Sequence, residues 1–330
     1  MALVLIHNFN NITMKTVRIL QIATIILVIA FSIGACTPYK HLPKMHSMSE
    51  LKYDHKVHYA NLSNQLRLAY VDEGKGDETI IMIHGLGSYL PAWKKNIDAL
   101  SQHYRVIAID LPGYGKSSKH PHSGLMSYYA DVVAELIEHL DLKAVNLAGH
   151  SMGGQISMVL ALAKPEMVKR LILVDPAGFE YFHPGQKTWF KDVMFPNMIR
   201  LTTVEAIENN LASNFYRLPK DAHFMIEDRI AMRDADDFDA YCLAVSRSVA
   251  GMVDEPVLDK LDQIKVPTLI FFGKEDMLIP NRYLNPGFTE KIAQYGASKI
   301  ANSKLVMVPK SGHFMMFEKS EVFNKEVVDF

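Results

Sequence analysis

Along most of this chain, short apolar runs alternate with longer stretches in which apolar residues recur every three or four positions. From residue 56, Val57 and Tyr59, then Leu66, Leu68 and Tyr70, alternate with polar neighbours around a turn at 61–64, which predicts an antiparallel hairpin. Residues 79–84 are continuously apolar and predict a strand buried on both faces. A helix is predicted over 91–101 and a strand over 105–110. Residues 125–140 carry Tyr129, Val132, Val133, Leu136, Ile137 and Leu140 at helical spacing. A strand over 145–148, a helix over 155–163 and a strand over 171–174 continue the rhythm. Such alternation implies an α/β fold: a mostly parallel twisted sheet flanked by helices.

The rhythm breaks after residue 175. Residues 176–254 hold no buried-strand pattern but many large apolar side chains, among them Phe179, Phe182, Trp189, Phe190, Met194 and Met225. This predicts a helical cap over the working edge of the sheet, most of whose apolar residues form its own core and some of which line a pocket. Strand patterns resume at 268–272 and 305–308, and Val322, Phe323, Val327, Val328 and Phe330 predict a last amphipathic helix. The organisation expected is a signal segment at 1–36, a spacer at 37–55, core at 56–175, cap at 176–254 and core again at 255–330.

The signal segment rests on residues 17–35, almost wholly apolar but for Arg18 and Gln21, followed by Cys36. A basic start, an apolar core and small residues before a cut form the pattern of an export signal. Lys15 and Arg18 supply the basic start if translation begins at Met14 rather than Met1, since residues 1–13 hold no Lys or Arg. The run Ile33-Gly34-Ala35-Cys36 resembles the lipobox of bacterial lipoproteins, where cleavage precedes the cysteine and its sulfur carries a diacylglycerol. An uncleaved anchor, from an apolar run close to the ~20 residues that span a bilayer, and an ordinary cleaved signal are the other readings. All three export the folded part. The first two attach it to a membrane through a proline-bearing spacer, and Thr37 after the cysteine resembles the outer-membrane case.

Composition changes this picture little. With 330 residues, 49% hydrophobic and 22% charged, the chain has room for one large α/β domain with an insertion or two small ones, and is not a disordered chain. A formal net charge of -1 without a long basic run leaves no footprint for nucleic acid. The two cysteines, Cys36 and Cys242, do not form a disulfide framework, and Cys242 is expected to pack within the cap.

The candidate chemistry centres on Gly149-His150-Ser151-Met152-Gly153, between a predicted strand and a predicted helix. A serine at the apex of so sharp a turn needs small residues two positions either side, and its hydroxyl then faces a helix N-terminus. A plain glycine-rich turn is the competing reading of the pentapeptide alone. Three further stretches follow in order: His84-Gly85-Leu86-Gly87, the run from Asp110 to Ser117 with Gly113 and Gly115, and the late Asp276 and His313.

Together these motifs resemble the α/β-hydrolase superfamily from about residue 57 to residue 330. The resemblance implies Ser151 as nucleophile, His313 as general base and then acid, and Asp276 as the carboxylate that orients the imidazole. It also implies an oxyanion hole from the backbone N–H groups of Met152 and Leu86. A serine hydroxyl is a poor nucleophile at neutral pH until a histidine takes its proton, and a buried carboxylate holds that histidine in one tautomer. Asp175 is the alternative acid, because some relatives carry it at the end of that strand. Asp110 and His84 read as loop braces. His120 and His122, with no carboxylate or cysteine partner, fall short of a metal site, and no cofactor is implied.

A serine at the elbow argues against the haloalkane dehalogenases and epoxide hydrolases of the superfamily, which use aspartate there. The expected activity is hydrolysis of carboxylic esters, acyl or aromatic and including lipids, through an acyl-enzyme. The alternatives are a proline-type aminopeptidase, a carbon–carbon bond hydrolase, and a membrane-tethered binding protein that keeps the fold without turnover.

The tether yields its own prediction. If residues 33–36 are a lipobox, the mature protein begins at Cys36 with acyl chains, and Cys36→Ser removes the acceptor and blocks that cleavage. Intact mass of the detergent-extracted protein checks this. A wild-type mass that retains residues 14–35 without acyl groups contradicts the lipobox and leaves the anchor.

Overall fold

The computed structural model describes Tyr39 and residues 41–330. Cys36 and the rest of the expected signal segment lie outside the described residues. The chain divides into two units, one ending at Pro43 and one from Lys44 to Phe330. In the first, the described residues make a turn closed by the Leu42 N–H on the Tyr39 carbonyl at 3.1 Å. Among the described residues, no helix is long and apolar enough to cross a membrane.

The second unit is built on strands β1 (His58–Asn61), β2 (Arg67–Glu73), β3 (Thr79–Ile83), β4 (Arg105–Ile109), β5 (Val145–His150), β6 (Val168–Val174), β7 (Thr268–Gly273) and β8 (Ser303–Val308). They form one eight-stranded sheet in the order β1-β2-β4-β3-β5-β6-β7-β8. Strand β2 runs antiparallel to β1 and β4, and every other neighbouring pair is parallel. Strands β3, β5 and β7 are buried at every residue, which is why their sequences read as unbroken rather than alternating runs. The α/β class and mostly parallel sheet expected from the sequence are therefore what the chain forms.

Helices α1 (Lys94–Leu100), α2 (Met126–His139) and α3 (Met152–Ala163) connect the first parallel strands. Between β6 and β7 the described elements are 3-10 turns and the helices α4 (Pro184–Val193), α5 (Pro196–Arg200), α6 (Val204–Ser213), α7 (His223–Ala231) and α8 (Phe238–Asp254). The chain closes with α9 (Thr289–Lys299), α10 (Met315–Glu318) and α11 (Ser320–Asp329).

Several boundaries differ from the sequence reading, β6 for instance beginning at Val168 rather than at 171, and three differences have a clear cause. The helix expected at 91–101 is a 3-10 turn, Leu90–Trp93, before α1, with Pro91 in its first turn, where a missing N–H costs nothing. Helix α3 starts at Met152 rather than at 155, because the turn at Ser151 takes a single residue. Helix α9 was not foreseen at all. Its buried positions are Thr289, Ala293 and Gly296, small rather than apolar, and a Cβ at Gly296 would lie 2.1 Å from the Phe179 ring. A helix seated by close approach leaves no hydrophobic stripe to read.

Helix α8 is tied to the sheet side by buried polar contacts. Ser248 Oγ lies 2.8 Å from both the Tyr114 and the Tyr129 hydroxyls, and Gln155 Nε2 donates to the carbonyls of Met252 and Glu255, both at 2.9 Å. Beneath the loop after β4, Asp110 accepts from Tyr53 Oη at 2.6 Å and from the backbone N–H groups of Leu90 at 2.7 Å and Lys116 at 2.8 Å. It is a brace for three segments, as expected.

Asp110→Ala strands the buried N–H of Leu90 and the part-buried N–H of Lys116, at about 1–3 kcal/mol for a buried donor and less for the other. Urea unfolding is expected to show a loss of about 3 kcal/mol, and a variant within about 0.5 kcal/mol of the native protein contradicts this account.

Candidate active site

Strand β5 passes into α3 through Ser151, which has φ 53 and ψ -117. A non-glycine residue in such a conformation costs on the order of 1–3 kcal/mol and persists only where its surroundings over-determine it. Here they do. A Cβ at Gly149 would lie 2.3 Å from the Gly153 carbonyl oxygen, and one at Gly153 would lie 2.3 Å from that of Ile83. Only glycine allows β3, the turn and α3 to approach so closely. The turn is pinned by Ser151 N–H on the Val174 carbonyl at 2.9 Å and by Ala177 N–H on the Ser151 carbonyl at 3.0 Å.

His313, in the loop after β8, presents Nδ1 to Asp276 Oδ2 at 2.8 Å. Asp276 follows β7, and its Oδ1 accepts from the N–H groups of Leu278 at 2.7 Å and Ile279 at 3.2 Å. The pair is nearly sealed, with Asp276 7% and His313 3% exposed. With Nδ1 committed, Nε2 is the nitrogen left for the cavity that His313 shares with Ser151.

Sequence reasoning passed over His150. Its Nε2 donates to the His313 carbonyl at 2.8 Å, and its ring lies 4.8 Å from that of His313 and 4.6 Å from that of Phe314. Burial, then the neighbouring His313, holds its pKa well below the usual imidazole value, so it braces the histidine loop as a neutral ring. The Gly-x-Ser-x-Gly pattern leaves that position open, so nothing marked it.

The oxyanion donors expected from the sequence are the N–H groups of Leu86, which lines the cavity, and of Met152, the first residue of α3. Neither Leu86 N–H nor Met152 N–H has a described backbone acceptor, the latter because it opens a helix. His84 holds the first turn. Its Nδ1 donates to the Gly85 carbonyl at 2.8 Å, its Nε2 accepts from Leu111 N–H at 3.0 Å, and burial lowers its pKa.

Ser151 and His313 open on a cavity of about 420 Å³ walled by residues such as Phe182, Phe190, Met194, Met252, Leu278 and Ile279. A second chamber of about 380 Å³ adjoins it past Leu86, Asn214 and Phe314 and is lined by Met198, Ile207, Met225 and Met232. Two ionisable groups on these walls were also missed. Glu180 Oε1 accepts from Asn281 N–H at 2.7 Å and Asn285 Nδ2 at 3.2 Å, and burial pushes its carboxyl up to about 7. Arg229 lines both chambers, stacks its guanidinium 4.5 Å above the Tyr241 ring, and leaves Nη1 buried with no partner among the described residues. Glu180 is a single charge inside an apolar run and Arg229 one of three successive charges, Glu227 to Arg229, patterns equally common on a solvated face.

The remaining candidates lie elsewhere. His122 donates from Nε2 to the Pro112 carbonyl at 3.1 Å and stacks on Tyr128, and its pKa is lowered to about 4 by burial, while His120 is exposed. Cys242 is buried in α8, and burial raises its thiol to about 11. Asp175 is buried at the end of β6, beside Asp276 and His313.

Residues 78–320 match the family model described as the alpha/beta hydrolase fold. Over 274 residues the chain is 28% identical to the 2-hydroxy-6-oxononadienedioate/2-hydroxy-6-oxononatrienedioate hydrolase of Escherichia coli (strain K12), covering 80% of this chain and 91% of that protein. It is 26% identical over 267 residues to the dihydrolipoyllysine-residue acetyltransferase component of the acetoin cleaving system of Pseudomonas putida. That match covers 78% of this chain but only 64% of the relative's length. The crystal structure of a probable hydrolytic enzyme from Pseudomonas aeruginosa PAO1 superposes with a TM-score of 0.78 at 24% identity, covering 87% of this chain and 98% of that one.

The buried carboxyl of Glu180 gives a stability prediction. Its folded pKa is raised from 4.5 to about 7, so the folded state holds a proton that the unfolded chain has released, and stability falls as pH rises across that window. Glu180→Gln keeps an acceptor for Asn281 but carries no such proton. Relative to the native protein it is expected to gain stability between pH 5 and pH 8, by up to about 3 kcal/mol, in urea titrations. A difference independent of pH contradicts this.

Proposed function

The chain belongs to the alpha/beta hydrolase fold family, and from that premise we propose that it is a serine hydrolase of carboxylic esters with an apolar acyl or aryl group. The observation that carries this reading is the hydrogen bond of His313 Nδ1 to buried Asp276, beside a strained Ser151 that opens on the same apolar cavity. In this mechanism Nε2 of His313 takes the Ser151 proton as Oγ attacks the ester carbonyl. The resulting oxyanion is held by the N–H groups of Leu86 and Met152, preorganised donors each worth on the order of a hundredfold in rate. Asp276 keeps the imidazole in one tautomer and stabilises the imidazolium. Collapse expels the alcohol, which takes the proton from His313. Water, deprotonated in turn by His313, attacks the acyl-enzyme and releases the acid. The apolar walls and the methionine-lined chamber beside the oxyanion turn suit an acyl chain. On the lipobox reading the enzyme acts while tethered in the cell envelope.

A second reading is favoured by Arg229. A guanidinium on the wall whose Nη1 has no partner among the described residues, taken with the relative named as a hydrolase of dioates, suits an anionic substrate cleaved at a carbon–carbon bond. The same serine and histidine would then act on a ketone rather than an ester.

Rates on p-nitrophenyl esters of increasing chain length, with a vinylogous 1,5-diketone acid alongside, separate the two. The ester reading expects turnover of the esters, with Ser151→Ala and Asp276→Asn each lowering kcat by on the order of 10³-fold or more. Turnover of the diketone alone overturns it in favour of the second. Native rates in Ser151→Ala overturn both.

A further inference from the structure

Asp175 is a second acid in the site, and the triad does not use it. It ends β6 with φ 42, a left-handed conformation that asparagine and aspartate tolerate better than most residues. Its N–H donates to the Phe271 carbonyl at 2.9 Å, and its Oδ1 accepts from Gly273 N–H at 2.8 Å. The residue is wholly buried, and its Oδ2 meets no donor among the described residues. One oxygen of Asp175, one of Asp276 and one imidazole nitrogen of His313 all lie within 4.8 Å of one another.

Two carboxylates at that distance in a sealed site cannot both be ionised without a large cost, so one keeps a proton. The contacts say which. Asp276 receives two backbone N–H groups and the imidazole, all of which favour its charged form. Asp175 receives one N–H and has an idle oxygen. We propose that Asp175 is a positioning residue, a neutral carboxylic acid whose Oδ2–H donates to Asp276, so that the pair carries one negative charge facing His313. This rests on Asp276 being the acid of the triad.

The surroundings agree. Burial first, then the charge of Asp276, pushes the Asp175 pKa well above the usual carboxylate range. From β7 it meets the Phe271 carbonyl and the Gly273 N–H, both backbone groups. Beyond Asp276 and His313, the charged group acting on it is the acid Glu318 of α10, which does not favour ionising it. Among the described residues no lysine or arginine pairs with it.

The test uses the full-length enzyme with Asp175→Asn and Asp175→Ala, kcat/KM being followed against pH on a turned-over ester, with Asp276→Asn as control. Asparagine copies the neutral acid: its carbonyl accepts from Gly273 N–H and its amide donates to Asp276. Alanine is expected to lose about tenfold or more, and asparagine to recover most of that loss with the acid limb of the profile unmoved. Were Asp175 ionised, asparagine would remove a negative charge beside His313, lower its pKa and shift the acid limb to lower pH. That shift overturns the proposal, as does inactivation of the native enzyme by a chelator, which would put a cation between the acids. If Asp175→Ala does not fold, the pH profile of Asp175→Asn decides alone. Full activity in Asp276→Asn overturns the triad reading itself and is thereby distinguished from failure of the Asp175 proposal.

Discussion

The geometry of the site depends on a close backbone approach. Strand β5 and helix α3 meet so tightly at Ser151 that Gly149 and Gly153 have room for no side chain, and the serine takes a backbone conformation that it would not hold alone. The strain of about 1–3 kcal/mol is offset by the buried sheet beneath it, since β3 and β5 are sealed along their whole length. What the strain secures is direction. Ser151 opens on the cavity, the Met152 N–H that begins α3 has no backbone acceptor among the described residues, and Leu86, just after β3, lines the same cavity.

Around that turn the site holds more ionisable groups than the proposed chemistry needs. Two acids, Asp175 and Asp276, and two histidines, His150 and His313, are almost completely buried within a few residues of strand ends. Backbone N–H groups decide how charge is shared among them. Asp276 collects two, whereas His150 donates its N–H to a carbonyl and is kept neutral by burial. A buried charge is tolerable only where such donors converge, so the loop running from Asp276 to Ile279 is as much a part of the acid as its side chain.

The architecture was legible because buried parallel strands leave unbroken apolar runs and glycine-bounded turns. The strands at 79–84 and 268–272 and the elbow at Ser151 carried that mark, and the helical stretch after residue 175 was read from its absence. Helix α9 did not, because it seats on Phe179 through Ala293 and Gly296 rather than through an apolar stripe. The structure unites Ser151, Asp276 and His313, which lie far apart in sequence, and their order was the readable signal. His150, Glu180 and Arg229 were illegible for a common reason. Each acquires its role only from what the fold seals around it: a lone Glu180 in an apolar run, or Arg229 after Glu227 and Asp228, looks the same whether buried or exposed. Asp175 was visible as a candidate, but its burial against Asp276 was not.

The most direct measurement is the mass of the enzyme caught during turnover. Rapid acid quenching in the presence of a slowly hydrolysed ester, followed by intact mass and peptide mapping, reports whether a covalent intermediate forms and where. The account predicts one acyl group per chain, on the peptide holding Ser151, appearing with a burst of alcohol and disappearing as substrate runs out. Turnover with no adduct at any time, or an adduct on a different residue, would contradict it.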